Sequence, residues 1–500
     1  MQRPSQQQCI DPRAAEPMSR SSAVFLTLVA YSAIVLAIGA WASRRTRDTG
    51  DFFLGGRRLG AVVAALSQAA SASSAWTLLG VSGAAFAWGL SAVWIWFAVM
   101  AGYVLNWFYV APRLRILSIE QGSTTLSQVI GAGLGERMRP RVMQSASLII
   151  LISFLFYVAA QFQAAGHAFA AGFELSAQGS IVLGTAVVVA YTLLGGFWAA
   201  SVSDCVQGVM MVIAAVVVPL IAVFAAGGFD QLWLGLQALG PESADLFGDR
   251  PAIVATAFVI GIMGIGLASP GQPHVVNRFM AVESPAAVAR ARWIALAWIA
   301  IVLAGMLLAG LAARVLFHGL PDAEQAFFEL ANRLLPPTFA AVTIVAVLSA
   351  LMSTTDSQLL VAASCVTVDL KRSPTESLAA ARFTVLVFSV LAMLIALYLP
   401  ESVYSRVLFA WNALGAAFGP LLLVRLAGKR VRPGSTLGAM WAGFLLTVLF
   451  YLLPDSPGDL FERVIPFMAA LGIALTGGER RRDPDRADRA ETTVHDRAAI

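Results

Sequence analysis

Thirteen apolar runs occupy almost the whole chain, at about 22–43, 59–86, 89–112, 142–170, 178–196, 199–225, 251–271, 293–317, 338–366, 380–399, 405–425, 433–453 and 461–477. Each is long enough to cross a bilayer. Inside lipid every backbone N–H and C=O must find a partner within the protein, and runs of this length do so as helices. The fold class that follows is all-α, a polytopic membrane protein of about 13 transmembrane helices. Composition agrees, because 58% of the 500 residues are hydrophobic and only 13% charged, whereas a soluble domain carries about 25% charge. The longest hydrophilic interval is the stretch from Ala226 to Arg250, so no room exists for a separate soluble catalytic module.

Two of the runs are interrupted. SQAASASSAWTLLG, Ser67 to Gly80, places small and hydroxyl-bearing side chains at membrane depth, and GIMGIGLASPGQPH, Gly261 to His274, repeats the excess of Gly, Ser and Pro. A loosened backbone is tolerated there only where it faces protein or a water-filled site. Discontinuous helices in corresponding positions are the mark of secondary transporters. The broken runs open two groups of five spans, about 59–225 and 251–425, and the odd number sets the groups in opposite orientations. This is the layout of an inverted repeat, with a binding site expected where the breaks meet.

The net charge of +5 does not call for nucleic acid, because the basic residues fall on alternate loops, as membrane orientation requires. Arg44, Arg45, Arg47, Arg57 and Arg58 follow the first span, Arg113, Arg115, Arg137, Arg139 and Arg141 the third, and Arg278, Arg290 and Arg292 the seventh. The expected topology has the N-terminus outside and the C-terminus cytoplasmic in a cell membrane. Residues 1–21 and 479–500 read as disordered tails flanking one transporter domain, 22–478. Cys9, Cys205 and Cys365 are isolated and lack metal-site spacing.

Chemistry concentrates in the ninth run. Ala350, Ser353 and Thr354 fall at i, i+3 and i+4, on one helix face, and a small hard cation takes several oxygens in place of its water. Hydroxyls there can join carbonyls freed by the break in the second span, or they can simply bond back to their own helix. Asp204 and Asp356 are carboxylates at or within hydrocarbon. Such groups cost at least about 2.5 kcal/mol at mid-membrane, which makes them functional candidates, here for cation coupling. Their structural alternatives are snorkelling for Asp204 and a hydrogen bond to a neighbouring helix for Asp356. Trp76 and Tyr157 combine an apolar body with a polar handle and can wall a solute cavity. His274 reads as a loop residue at the end of the seventh span.

Six segments in order resemble the sodium:solute symporter family, in particular its proline permease branch: DFFLGGRRLG at 51–60, ALSQAASASSAWTLLG at 65–80, YTLLGGFWAASVSDCVQ at 191–207, GQPHVVNRFMA at 271–281, LSALMSTTDSQLLV at 348–361 and GAAFGPLLL at 415–423. The resemblance spans about Asp51 to Gly478. It implies a LeuT-like five-plus-five repeat, coupled uptake of a small organic solute such as an amino acid or small carboxylate, and a sodium ion (Na+) as the driving ion. The implied sodium ligands are the carbonyls of Ala70, Ser73 and Ala350 with the hydroxyls of Ser353 and Thr354. Asp204 matches the family aspartate tied to cation coupling, and Ser74, Trp76, Tyr157, Ile265 and Ser269 fall at the solute cavity. The chain departs from proline permeases at Ala72, where they carry an aspartate, and at Ile265 and Ser269, where they carry aromatics. Those departures predict weakened proline binding. Proton coupling through Asp204 or Asp356 and a transporter-like sensor are the rival readings; no enzyme, nucleic-acid or protein partner is expected, only the solute, sodium and the lipid bilayer.

Overall fold

Long apolar segments that must close their own hydrogen bonds give ten helical runs long and apolar enough to cross a membrane in the computed structural model, which describes residues 19–43, 54–173, 175–193, 197–317, 319–370, 378–399 and 401–480. In chain order the helices are α1 (Arg20–Ser43), α2 (Ala61–Ala72), α3 (Val81–Trp88), α4 (Val93–Val104), α5 (Ala111–Glu120), α6 (Leu126–Gly131), α7 (Gly135–Phe173), α8 (Ala177–Thr192), α9 (Phe197–Ala225), α10 (Phe229–Ala238), α11 (Pro241–Ala244), α12 (Ala252–Leu267), α13 (Pro273–Ala281), α14 (Pro285–Leu316), α15 (Ala326–Leu334), α16 (Pro337–Ser364), α17 (Leu378–Tyr398), α18 (Val403–Leu426), α19 (Pro433–Tyr451) and α20 (Leu460–Thr476). A two-stranded antiparallel pair, β1 (Lys429–Val431) with β2 (Gly478–Arg480), ties the loop after α18 to the chain beyond α20. The two tails fall outside the described residues apart from 19–21 and 479–480, as does Cys9; Cys205 and Cys365 are free thiols.

The count of long spans is ten rather than thirteen, and the difference has three local causes. The second expected span splits, leaving the 12-residue α2 on one side while helix resumes at Trp76 and runs on to Glu120. The fifth is the 16-residue α8 and the last the 17-residue α20, both shorter than a full crossing. Helix still covers most of all thirteen apolar regions.

Both expected breaks are present. α2 ends at Ala72, Ser73 takes the non-helical ψ of 84°, and helix restarts through one wide turn over Trp76–Gly80 before α3. α12 and α13 are parted by a tight turn over Ser269–Gly271 and by Gln272 at ψ 106°. The start of the first broken helix meets the end of the second: Leu59 N donates to Ala281 O (3.1 Å) and Glu283 N to Leu59 O (3.0 Å). Further along the first helix, Ser67 meets Arg278, which lies earlier on the second, so the two run in opposite directions.

Small residues set how closely the helices approach. α9 and α14 cross at Gly305, where an added Cβ would run into the carbonyl oxygen of Ala215. Overpacking a rigid helix contact costs about 1–3 kcal/mol or more. Gly305→Val is therefore expected to lower the melting temperature in detergent, whereas the same change at Gly472, which faces open space, leaves it unchanged.

Candidate functional site

Ending α2 at Ala72 frees the last carbonyls of that helix from their own ladder, and α16 lies directly against them. Ser353 Oγ donates to Ala70 O at 3.0 Å and to Ala350 O at 2.8 Å. Thr354 Oγ1 donates to Ser71 O at 3.1 Å and to Ala350 O at 3.3 Å. Five oxygens thus converge in a fully buried nest with no charged side chain among them. Around a hard cation with oxygen bonds of about 2.3–2.6 Å, neighbouring ligands sit about 3.3–3.7 Å apart, a little wider than the 2.8, 3.0, 3.1 and 3.3 Å of these four bonded pairs. Of the residues read from the sequence, Ala70, Ala350, Ser353 and Thr354 are brought together. Ser71, which sequence reasoning left out, supplies the carbonyl that Thr354 meets, while Ser73 lines the adjoining cavity.

Asp204 stands beside this nest and is buried completely, so it does not reach the membrane surface. Its Oδ2 accepts from Ser67 Oγ (2.7 Å) and Ser71 Oγ (3.2 Å) and pairs with Arg278 Nη2 at 3.3 Å. Ser67 and Ser71 lie at i and i+4 on α2, one face, a signal the sequence carried unread. Arg278, which in the sequence looks like a loop residue that sets orientation, is buried on α13; its guanidinium also reaches Ser67 Oγ, His274 O and Ser357 Oγ. One residue therefore clasps α2, α9, α13 and α16 together. Ser71 Oγ also lies 3.1 Å from Ser357 Oγ, so the serine that touches Asp204 is the one whose carbonyl meets Thr354. Asp356 points another way and accepts from Thr192 Oγ1 on α8, the neighbouring-helix bond that was its structural alternative. His274 is buried with its ring edge-on to Phe154 and Tyr157, not in a loop.

On the other side of the break lies a small cavity. Trp76, Tyr157, Ile265 and Ser269 line it together with Ala72 and Ser73. Ser74 stands behind, within 3.5 Å of the Tyr157 hydroxyl and bonded to Trp76 N at 3.2 Å. Sequence reasoning missed Tyr103 and Trp411, two further rings in the wall; Trp411 is held by a bond from its Nε1 to Ile265 O (3.0 Å). Trp76 Nε1 is buried without a hydrogen-bond partner among the described residues. Among the described residues, no charged side chain lines the cavity.

Two antiparallel broken helices, an oxygen nest at one break and an aromatic-walled cavity beside it define an ion-coupled secondary transporter. The sodium:solute symporter family profile matches residues 52–445, and the chain belongs to that family. It is 34% identical to the high-affinity proline transporter PutP of Bacillus subtilis, over 87% of this chain and 94% of the relative. It is 33% identical to the sodium/proline symporter of Escherichia coli, over 93% and 96%. In three dimensions it resembles an outward-open, substrate-bound Na+-coupled sialic acid symporter, with a TM-score of 0.77 at 19% identity, covering 93% of this chain and all of that one. The chain is thus a multi-pass membrane symporter that moves a solute together with sodium.

Proposed function

We propose that the chain imports a small zwitterionic amino acid of proline's size, driven by sodium held between α2 and α16. The observation that carries this reading is the convergence of the Ser353 and Thr354 hydroxyls on the carbonyls of Ala70 and Ser71, at the break that also borders the cavity. Ser73 contributes its carbonyl as the break expands around the ion. Asp204 couples ion release to movement of α13 through Arg278, and Asp356 supports α16 from α8. The protein sits in the cell membrane as one domain, 22–478, with repeats at about 59–225 and 251–425, its N-terminus outside and its C-terminus cytoplasmic.

The cavity wall favours a neutral zwitterion over a small carboxylate. A lone negative charge placed among uncharged, largely apolar groups has no counter-ion to offset its desolvation, whereas a zwitterion carries its own. The relatives quoted above are named for proline. The rings absent at Ile265 and Ser269 are matched by Tyr103 and Trp411 on the same cavity, so the aromatic surface that a pyrrolidine ring needs is retained.

Reconstituted protein given an inward sodium gradient at fixed pH is expected to accumulate labelled proline. Uptake driven equally well by a proton gradient without sodium overturns sodium coupling, and a sodium-dependent uptake that proline fails to compete overturns the solute. Trp411→Ala removes one ring and the support it gives Ile265, which should raise the KM for proline about tenfold, or about 1.4 kcal/mol; an unchanged KM removes Trp411 from the site.

A further inference from the structure

A second cluster of donor atoms lies away from the sodium nest. His167 on α7, Asp322 and Glu324 place one ring nitrogen and two carboxylate oxygens within 4.8 Å of one another. Asp322 and Glu324 belong to the turn before α15: Asp322 Oδ1 accepts from Glu324 N at 2.9 Å, and the Glu324 carboxylate caps the start of α18 by accepting from Val403 N (3.0 Å) and Tyr404 N (2.7 Å). Those bonds account for the two carboxylates as local caps, each oxygen keeping a free lone pair. They do not account for His167, whose Nδ1 is buried with no hydrogen-bond partner among the described residues.

We propose that these three residues form a divalent transition-metal site, of the class that takes zinc, and that the bound ion restrains the cover of the solute cavity. One imidazole and two carboxylates are a zinc-type donor set, with a fourth position left to water. Around a tetrahedral ion with bonds of about 2.1 Å, ligand atoms lie about 3.4 Å apart, so atoms within 4.8 Å of one another must draw together by about 1.4 Å at most. Both carboxylates hold a backbone N–H while keeping oxygen lone pairs for the metal, which fixes their orientation as a supporting shell does.

The location gives the site its consequence. The 322–324 turn packs on the helix after the first break, close enough that a Cβ on Gly83 would sit 3.1 Å from Ala323 O. Tyr404, bonded to Glu324, has its ring 5.9 Å from that of Trp76, a wall of the cavity. One turn before His167, Gln163 donates to Glu401 O (2.6 Å) and accepts from Arg406 Nη1 (2.9 Å), so α7 and the start of α18 already meet here. Opening the cavity on this side requires the turn and α18 to part from α7. A metal bonded to both sides opposes that separation.

Metal binding rests on these three residues alone, whereas the effect on uptake also rests on the transport reading. Titration of the purified full-length protein with Co2+ alone is expected to give the intense visible bands of a tetrahedral ion, displaced by Zn2+ and lost in His167→Gln. Bands of equal strength in His167→Gln and in Asp322→Asn, or none in the wild type, overturn the site. In vesicles, Zn2+ added outside should cut sodium-driven proline uptake at least fivefold, reversibly with EDTA, and His167→Gln should transport normally and resist it. Zinc that binds through His167 yet leaves uptake unchanged overturns the restraint. If the chain does not carry proline, the cobalt titration still decides the metal site, and the failure falls on the solute reading.

Discussion

Arg278→Gln is expected to destabilise the protein by about 3–5 kcal/mol, the cost of leaving a buried carboxylate without its counter-charge. Asp204 is fully enclosed, and after the substitution only the hydroxyls of Ser67 and Ser71 remain on its Oδ2. Asp204→Asn alone should be harmful in the mirror sense, because it strands a buried guanidinium that also holds Ser67, Ser357 and His274. The double variant Asp204→Asn with Arg278→Gln removes both charges and keeps both shapes. It should recover most of the lost stability while remaining defective in coupling. Thermal unfolding in detergent of the two singles and the double measures this; singles as stable as the wild type, or a double no better than the worse single, would show that the pair does not act as a unit.

Replacing Ser353 and Thr354 together by Ala should weaken apparent sodium affinity by tenfold or more, about 1.4 kcal/mol or above. Two of the five oxygens in the nest disappear, and the carbonyls of Ala70 and Ser71 lose the donors that organise them. Folding should suffer less than in the Arg278 variant, since no charge is stranded and Ala is a good helix former. The sodium concentration giving half-maximal uptake, read at saturating solute, is the measurement. An unchanged value in protein that inserts normally removes these hydroxyls from the ion path.

The helices, both breaks and the face shared by Ala350, Ser353 and Thr354 were legible in the chain because each is a local property. Length and apolarity dictate helix in lipid, a cluster of small and hydroxyl residues marks where it loosens, and a spacing of three and four puts side chains on one face. The order of two five-span groups carried the inverted repeat in the same way. Local pattern also misled in identifiable places. Arg278 follows an apolar run and looks like an orienting loop cation, yet the helix restarts at Pro273 and carries it back into the core. Tyr103 and Trp411 sit in apolar helices like many other rings in this chain, and only the folded chain sets them on the cavity of Trp76 and Tyr157.

By itself, then, the sequence determined that the chain is a bundle of membrane helices with two interruptions and a hydroxyl face, since bilayer thickness and helical periodicity act on neighbours along the chain. Tertiary structure decided which charges pair, which carbonyls the hydroxyls meet and which rings close the cavity. Those choices join residues 74 to 283 positions apart, Arg278 with Asp204 and Thr354 with Ser71. Such contacts are selected by the packing of α2 against α9, α13 and α16, where an unmatched charge or an unsatisfied carbonyl in a low-dielectric interior is too costly to persist.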